Sequence, residues 1–165
     1  MQKKVGILMG SDSDLPILRR TVDTLKAFGV PYEVHVYSAH RTPLEAAAFA
    51  ENARKEGFGV LICAAGMAAH LAGAVAAKST LPVIGIPCKS SNLDGLDALL
   101  STVMMPSGIP VATVAIDGGV NAALLAIEML AIADERLATL LDEKRESDRQ
   151  KVLEKDLAVA GELNG

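Results

Sequence analysis

Ser38, His40 and Arg41 put a hydroxyl, an imidazole and a guanidinium within four residues of the stretch Tyr37-Ser38-Ala39-His40-Arg41-Thr42-Pro43. An imidazole, with an ordinary pKa of about 6.5, can give and take a proton near neutrality. A guanidinium presents a fixed fork of donors that suits phosphate. An alternating apolar run ends at Tyr37, and an alanine-rich helical run begins after Pro43. Thr42 suits a helix N-cap, and Pro43 the first helical position, where a missing N–H costs nothing. His40 and Arg41 therefore stand in a tight loop at the carboxyl end of a strand, the rim on which open α/β sheets bind ligands. The helix start adds free N–H donors and a partial positive charge. The loop reads as an anion site with an acid–base group beside it.

Three further loops carry polar or small residues. Met9-Gly10-Ser11-Asp12-Ser13-Asp14 follows the first apolar run. Gly10 permits a tight turn, Ser11 and Ser13 offer hydroxyls, and Ser13 or Asp14 can cap a helix with Pro16 in its first turn. Alone this is an ordinary helix start. It gains weight by sharing a rim with the Ser38 to Thr42 loop, because phosphate on one loop and a sugar hydroxyl on Asp14 would divide one ligand between them. The stretch Ala65-Gly66-Met67-Ala68-Ala69-His70-Leu71-Ala72-Gly73 is rich in small residues that let backbone approach a ligand. N–H groups at a helix start there can hold a carboxylate or carbon dioxide. His70 is either a packing or capping residue or a substrate contact. Pro87-Cys88-Lys89-Ser90-Ser91-Asn92 reads equally as surface loop or as site.

Several chemistries are excluded. Neither the Walker pattern nor GxGxxG occurs. A phospho-aspartate receiver would need an aspartate after the third strand and a lysine after the fifth. Those ends read Cys63-Ala64-Ala65-Gly66 and Val114-Ala115-Ile116-Asp117. His40 and His70 lack an Asp, Glu or Cys at recurring metal-ligand spacing, so no metal site is expected. His35 alternates within a strand-like run and is expected to be structural or solvent-facing.

The elements that must position these loops alternate with few exceptions. Strands are expected at Val5–Met9, Tyr32–Tyr37, Val60–Ala64, Val83–Ile86 and Val111–Ile116. Helices are expected at Leu15–Phe28, Pro43–Glu56, Ala68–Lys78, Asp94–Met104 and Asn121–Ala133. Gly29 and Gly57 stand where helices end, and Pro31 and Pro82 just ahead of strands. Five such units, with strands apolar on both faces, predict an α/β fold. The expected architecture is a flavodoxin-like three-layer α/β/α sandwich on a parallel five-stranded sheet, with right-handed crossovers. Residues 1–165 read as a single domain, with a core over 4–133 and a C-terminal helical extension over 134–160 whose apolar positions include Leu137, Leu140, Leu153 and Leu157. That extension, and the nearly all-apolar run Ala122–Ala133, invite packing against a neighbouring subunit.

Composition agrees. The chain is 50% hydrophobic but only 3% aromatic, so the core must be built from Ala, Val, Leu and Ile. A net charge of −4 disfavours a general nucleic-acid or membrane-surface binder. The apolar run from Val5 stops at Gly10, so no signal peptide is expected, and no run is long enough to span a bilayer. Cys63 and Cys88 lie in strand-like runs without CxxC spacing, as expected of reduced, buried thiols in a cytoplasmic protein.

GSDSD, SAHRTP, AGxAAHLxG, LPVIGIP, GLDALLSTVMMPSGIPVATVAI and NAALLA, in that order, resemble the class I N5-carboxyaminoimidazole ribonucleotide mutases. The resemblance covers about Val5 to Ala133. It implies carboxylate transfer from the exocyclic nitrogen to carbon 4 of an aminoimidazole ring in purine biosynthesis, by decarboxylation and recarboxylation with trapped carbon dioxide. It implies that Ser11, Ser13, Ser38 and Arg41 hold the ribonucleotide phosphate, Asp14 the ribose hydroxyls, and that His40 is the catalytic acid–base group. Gly66, Ala68, His70 and Leu71 would enclose the carboxylate and the carbon dioxide derived from it. No metal, ATP or organic cofactor is implied, and a homo-octamer with sites at subunit junctions is. Met67 stands where these mutases usually have Gly, and Ala72 where they usually have Pro. Some members of the wider family are carboxylases using free carbon dioxide, and a non-catalytic nucleotide-binding module is the alternative of another class.

Overall fold

The computed structural model describes residues 2–91 and 93–164; Asn92, the last residue of the polar loop noted above, lies outside them. Strands β1 (Lys4–Met9), β2 (Tyr32–Val36), β3 (Phe58–Ala65), β4 (Val83–Pro87) and β5 (Ala112–Thr113) form one sheet in the order β2-β1-β3-β4-β5. All four pairings are parallel. Helices α1 (Leu15–Ala27), α2 (Pro43–Asn52), α3 (Leu71–Ala76), α4 (Leu96–Val103), α5 (Gly119–Ala131) and α6 (Glu135–Leu163) complete the chain. This is the flavodoxin-like order, and it matches the expected class.

Strand alternation explains the three layers. Val60, Ile62 and Ala64 of β3 belong to one core with Leu18 and Leu25 of α1 and with Ala122, Ala126 and Ile127 of α5. Leu61 and Cys63, one position out of phase, belong to the other core with Ala46 and Ala50 of α2 and with Leu71 and Val75 of α3. Successive side chains point to opposite faces, so a continuous apolar run fills both cores. Scarce aromatics leave room for close helix approach: Ala122, Ala123 and Ala126 are fully buried along α5.

Some boundaries moved, each for a local reason. Strand β5 is two residues long rather than six. It is an edge strand with β4 as its one neighbour, and the chain leaves the ladder into a turn where Gly118 N donates to Ala115 O at 2.9 Å. Helix α3 begins at Leu71 rather than Ala68. Met67 adopts a left-handed φ of 53°, and short i+2 bonds from Ala69 N to Met67 O and from His70 N to Ala68 O hold the preceding residues out of the helix. Helix α2 stops at Asn52 rather than Glu56, and turns lead to Gly57 at φ 86°.

The C-terminal extension is a single helix of 29 residues, started by Asp134, whose carboxylate accepts from Leu137 N. Leu137 is its one buried residue among those described. Leu140 and Leu141 pack against the α1/α5 core, and Arg145 pairs with Glu128 of α5 at 2.7 Å. Beyond them Val152, Leu157, Val159 and Leu163 stay exposed. Among the described residues no helix is long and apolar enough to cross a membrane.

Candidate active site

The carboxyl rim of the sheet opens into a cleft of about 610 Å³. Ser11, Ser13 and Asp14 after β1, Ser38, His40 and Arg41 after β2, and Gly66, Ala68 and Leu71 after β3 all line it. A larger hollow of about 1100 Å³ lies at the opposite rim, lined by Arg54, Lys78 and Pro82 among others. It holds no imidazole and none of the loops singled out from the sequence.

The loop after β2 is built on Ser38. Its Oγ accepts from His40 N at 3.3 Å and from Arg41 N at 3.2 Å, so its own hydrogen remains free to donate into the cleft. Thr42 occupies the N-cap position of α2, with Pro43 in the first turn, but its side chain does not cap the helix. Instead Thr42 Oγ1 accepts from Ser38 N at 2.7 Å and lies 3.2 Å from Ser38 O, closing the loop on itself. That leaves the α2 amino terminus without a side-chain cap beside the cleft. Arg41 is exposed, and its Nη2 donates to Gly10 O at 3.1 Å, which ties the β2 loop to the β1 loop. His40 is exposed as well.

In the β1 loop Ser11 caps a short 3-10 turn over Asp12–Asp14 by accepting from Ser13 N at 3.4 Å. Asp14 stands at the N-cap position of α1 without capping it, and it is buried. Burial pushes its carboxyl up from the ordinary value, opposed by hydrogen bonds from the Ser11 backbone and the Cys88 thiol and reinforced by the charges of Asp117 and Asp12. A carboxyl whose pKa is higher folded than unfolded stabilises the fold at low pH, and that stability is lost as pH rises through the folded value. Ionised Asp14 is therefore held at a cost near neutrality. Asp14→Asn is expected to raise the melting temperature at neutral pH, by a margin that shrinks when the melt is repeated below the ordinary carboxylate range. A lower melting temperature at neutral pH would contradict the burial argument.

The β3 loop presents Gly66, Met67 and Ala68 to the cleft, with Leu71 behind them. Met67 holds its left-handed backbone without being glycine, a conformation that costs about 1–3 kcal/mol. The residue is 63% exposed and lines the cleft, so it is not used for packing in the core.

His70 is the one proposed site residue that the structure does not bring to the cleft. It sits just before α3, its Nδ1 is 3.3 Å from Ser101 O of α4, and its ring covers Gly73 so closely that a methyl there would collide with it. His70 is nevertheless exposed, so its ring lies over Gly73 at the surface of the chain and is not enclosed in a core.

Conversely, Lys89, Ser90 and Ser91 line the cleft, which the sequence left undecided. Asp117, at φ 57°, braces that loop by accepting from Lys89 N at 2.8 Å. Cys88 is buried beneath Gly66, and burial together with the charges of Asp14 and Asp117 pushes its thiol well up, so it is not a nucleophile at neutral pH. A polar loop following a strand on the ligand-binding rim was the available signal for Lys89 to Ser91. Nothing in the spacing pointed to Asp117. Among the described residues no group of three or more His, Cys, Asp or Glu is arranged to hold a metal ion.

The arrangement combines an exposed imidazole, a fork of donors, hydroxyls and a buried carboxyl on the neighbouring loops after β1 and β2, which suits a phosphorylated, hydroxyl-bearing ligand. Residues 4–151 match the AIR carboxylase family. The N5-carboxyaminoimidazole ribonucleotide mutase of Bacillus subtilis is 54% identical over 156 residues, covering 93% of this chain and 96% of that one. The phosphoribosylaminoimidazole carboxylase of Saccharomyces cerevisiae is 52% identical over 151 residues, covering 92% of this chain but 26% of that one. A crystal structure of Treponema denticola PurE superposes with a TM-score of 0.86 at 32% identity, covering 95% of this chain and 98% of that one. With nine-tenths of its length aligned to relatives above half identity, and with their fold, this chain belongs to the AIR carboxylase family.

Proposed function

We propose that this chain is an N5-carboxyaminoimidazole ribonucleotide mutase of purine biosynthesis, with its reaction centre in the carboxyl-rim cleft. The observation that carries the reading is the placement of His40 and Arg41 on one loop, facing Asp14 and the serines of the next. The similarity to the B. subtilis mutase, 54% identical over 156 residues, supports it too; the chain spans about a quarter of the length of the yeast carboxylase.

Arg41, Ser38, Ser11 and Ser13 bind the phosphate. Asp14 accepts from the ribose hydroxyls, and its depth in the wall fixes the sugar. His40 delivers a proton to the exocyclic nitrogen as the carbon–nitrogen bond of the carbamate breaks and carbon dioxide leaves. The electron pair of the ring then attacks the trapped carbon dioxide from carbon 4, and the proton on that carbon passes to His40. One proton is given and one taken back, so the sum is an isomerisation with no oxidant or nucleotide triphosphate in the balance. Gly66, Ala68 and Leu71 enclose the carbon dioxide, and holding it beside carbon 4 supplies the proximity that the second step needs.

The assembly we assign is a homo-octamer in the cytoplasm with sites at subunit junctions. The exposed leucines of α6, those of α4 (Leu96 and Leu100) and two buried free cysteines support this. A light-scattering mass equal to one 17.2 kDa chain at micromolar concentration would overturn the assembly. The function is tested by incubating the purified protein with the carbamate substrate and following the carbon-4 carboxylate without added bicarbonate. Product formation is expected. Strict dependence on bicarbonate would mean a carboxylase using free carbon dioxide, and binding without turnover a non-catalytic module.

A further inference from the structure

The loops that line the cleft follow the strand order across the sheet. Arg41 follows β2, Asp14 follows β1, Gly66 follows β3 and Lys89 follows β4. Neighbouring strands lie about 4.8 Å apart, so the first and last of these loops are separated by roughly 14 Å. Arg41 and Lys89 are the guanidinium and the ammonium among the lining residues, and they stand at opposite ends. Between them lies the buried carboxyl of Asp14, which repels an anion and favours hydroxyls. A ligand of matching pattern is anionic at both ends and neutral, with hydroxyls, in the middle.

Lys89 is built to serve one such end. Its backbone is fixed from two sides: Lys89 N donates to Asp117 Oδ1 at 2.8 Å, and the preceding Cys88 N donates to Ala65 O at 2.9 Å. Among the described residues the side chain is otherwise held by Asp94 alone, with Nζ 3.1 Å from Oδ1 and the two side chains 60% and 84% exposed. An exposed pair of this kind contributes little, so the ammonium can exchange Asp94 for a ligand anion at small cost. Ser90 is less available, because its hydroxyl donates to Asp97.

Resting on the mutase reading above, we propose that Lys89 is the residue that binds the transferred carboxylate, at the end of the cleft opposite the phosphate held by Arg41. The substrate and product each carry a phosphate and a carboxylate, whereas the decarboxylated ribonucleotide carries the phosphate alone. Lys89 is thus a cation that recognises the carboxylated forms and not the common scaffold. When carbon dioxide is regenerated as a carboxylate on carbon 4, the ammonium stabilises the charge that forms there.

The test compares two ligands by calorimetry on the full chain: 4-carboxy-5-aminoimidazole ribonucleotide and aminoimidazole ribonucleotide, which lacks the carboxylate. Lys89→Met keeps the length of the side chain and removes its charge. It is expected to weaken the carboxylated ligand by about ten- to a hundredfold, the scale of a lost charge-assisted hydrogen bond, and to leave the other unchanged. Lys89→Arg should recover most of the loss. Equal weakening of both ligands would put Lys89 at the phosphate, and no weakening would leave it outside the site; either overturns the assignment while the mutase reading stands. Wild-type protein that binds neither ribonucleotide would overturn both.

Discussion

A His40→Asn chain is expected to fold, to bind ribonucleotide, and to turn over more slowly by roughly two to four decades, the usual scale of general acid–base catalysis. Folding should survive because His40 is exposed and contributes to its loop through the backbone, with its N–H donating to Ser38 Oγ at 3.3 Å. Asparagine keeps that bond. It also keeps a polar side chain of similar reach, but it cannot carry a proton between the exocyclic nitrogen and carbon 4. Binding should survive because the phosphate donors are other residues: Arg41, Ser38, Ser11 and Ser13. His40 is the imidazole among the residues lining the cleft, whereas the His70 ring lies over Gly73 against Ser101 O. Single-turnover kinetics on both variants, with calorimetry of the ribonucleotide, separate the roles. A His40→Asn chain of normal rate beside a dead His70→Asn chain would reverse them and leave the β2 loop as a binding element alone.

Much of the fold was legible because burial on both faces of a parallel sheet writes a signal that single strands can carry. Leu61, Ile62 and Cys63 are apolar in succession since they face two different cores. Element ends were harder, because they depend on backbone turns that composition does not encode. Met67 is the clearest case: an alanine-rich stretch reads as helix from Ala68, yet the left-handed turn at Met67 delays α3 to Leu71. The same turn decides where His70 points. Had the helix begun at Ala68, His70 would have stood inside its first turn; it stands at the N-cap position of α3 instead. The residues of the first two loops that line the cleft were easier to single out, since Ser, Asp, His and Arg cluster beside strand ends. Lys89 and Asp117 come from loops far apart in sequence, and their bond at 2.8 Å is a tertiary fact without a local signature.

Arg41→Ala is expected to raise the Michaelis constant by one to two decades with little change in melting temperature. A charge-assisted hydrogen bond to a phosphate contributes about 1.5–3 kcal/mol, which converts to that range in affinity. Little stability should be lost, because the side chain is exposed and among the described residues makes one bond, from Nη2 to Gly10 O at 3.1 Å. Arg41→Lys should recover only part of the affinity, since an ammonium keeps the charge but not the planar fork. Arg54→Ala is the matched control. Arg54 is also exposed and also donates to a backbone carbonyl, that of Thr80 at 3.0 Å, but it lines the hollow at the opposite rim. Removing it should leave the Michaelis constant unchanged while deleting the same formal charge, which separates local contact from long-range attraction of an anionic substrate. If both variants weakened substrate equally, the field of the whole chain would be responsible. If neither did, the phosphate would lie elsewhere, and the uncapped start of α2 would have lost the ligand that its free N–H groups are placed to meet.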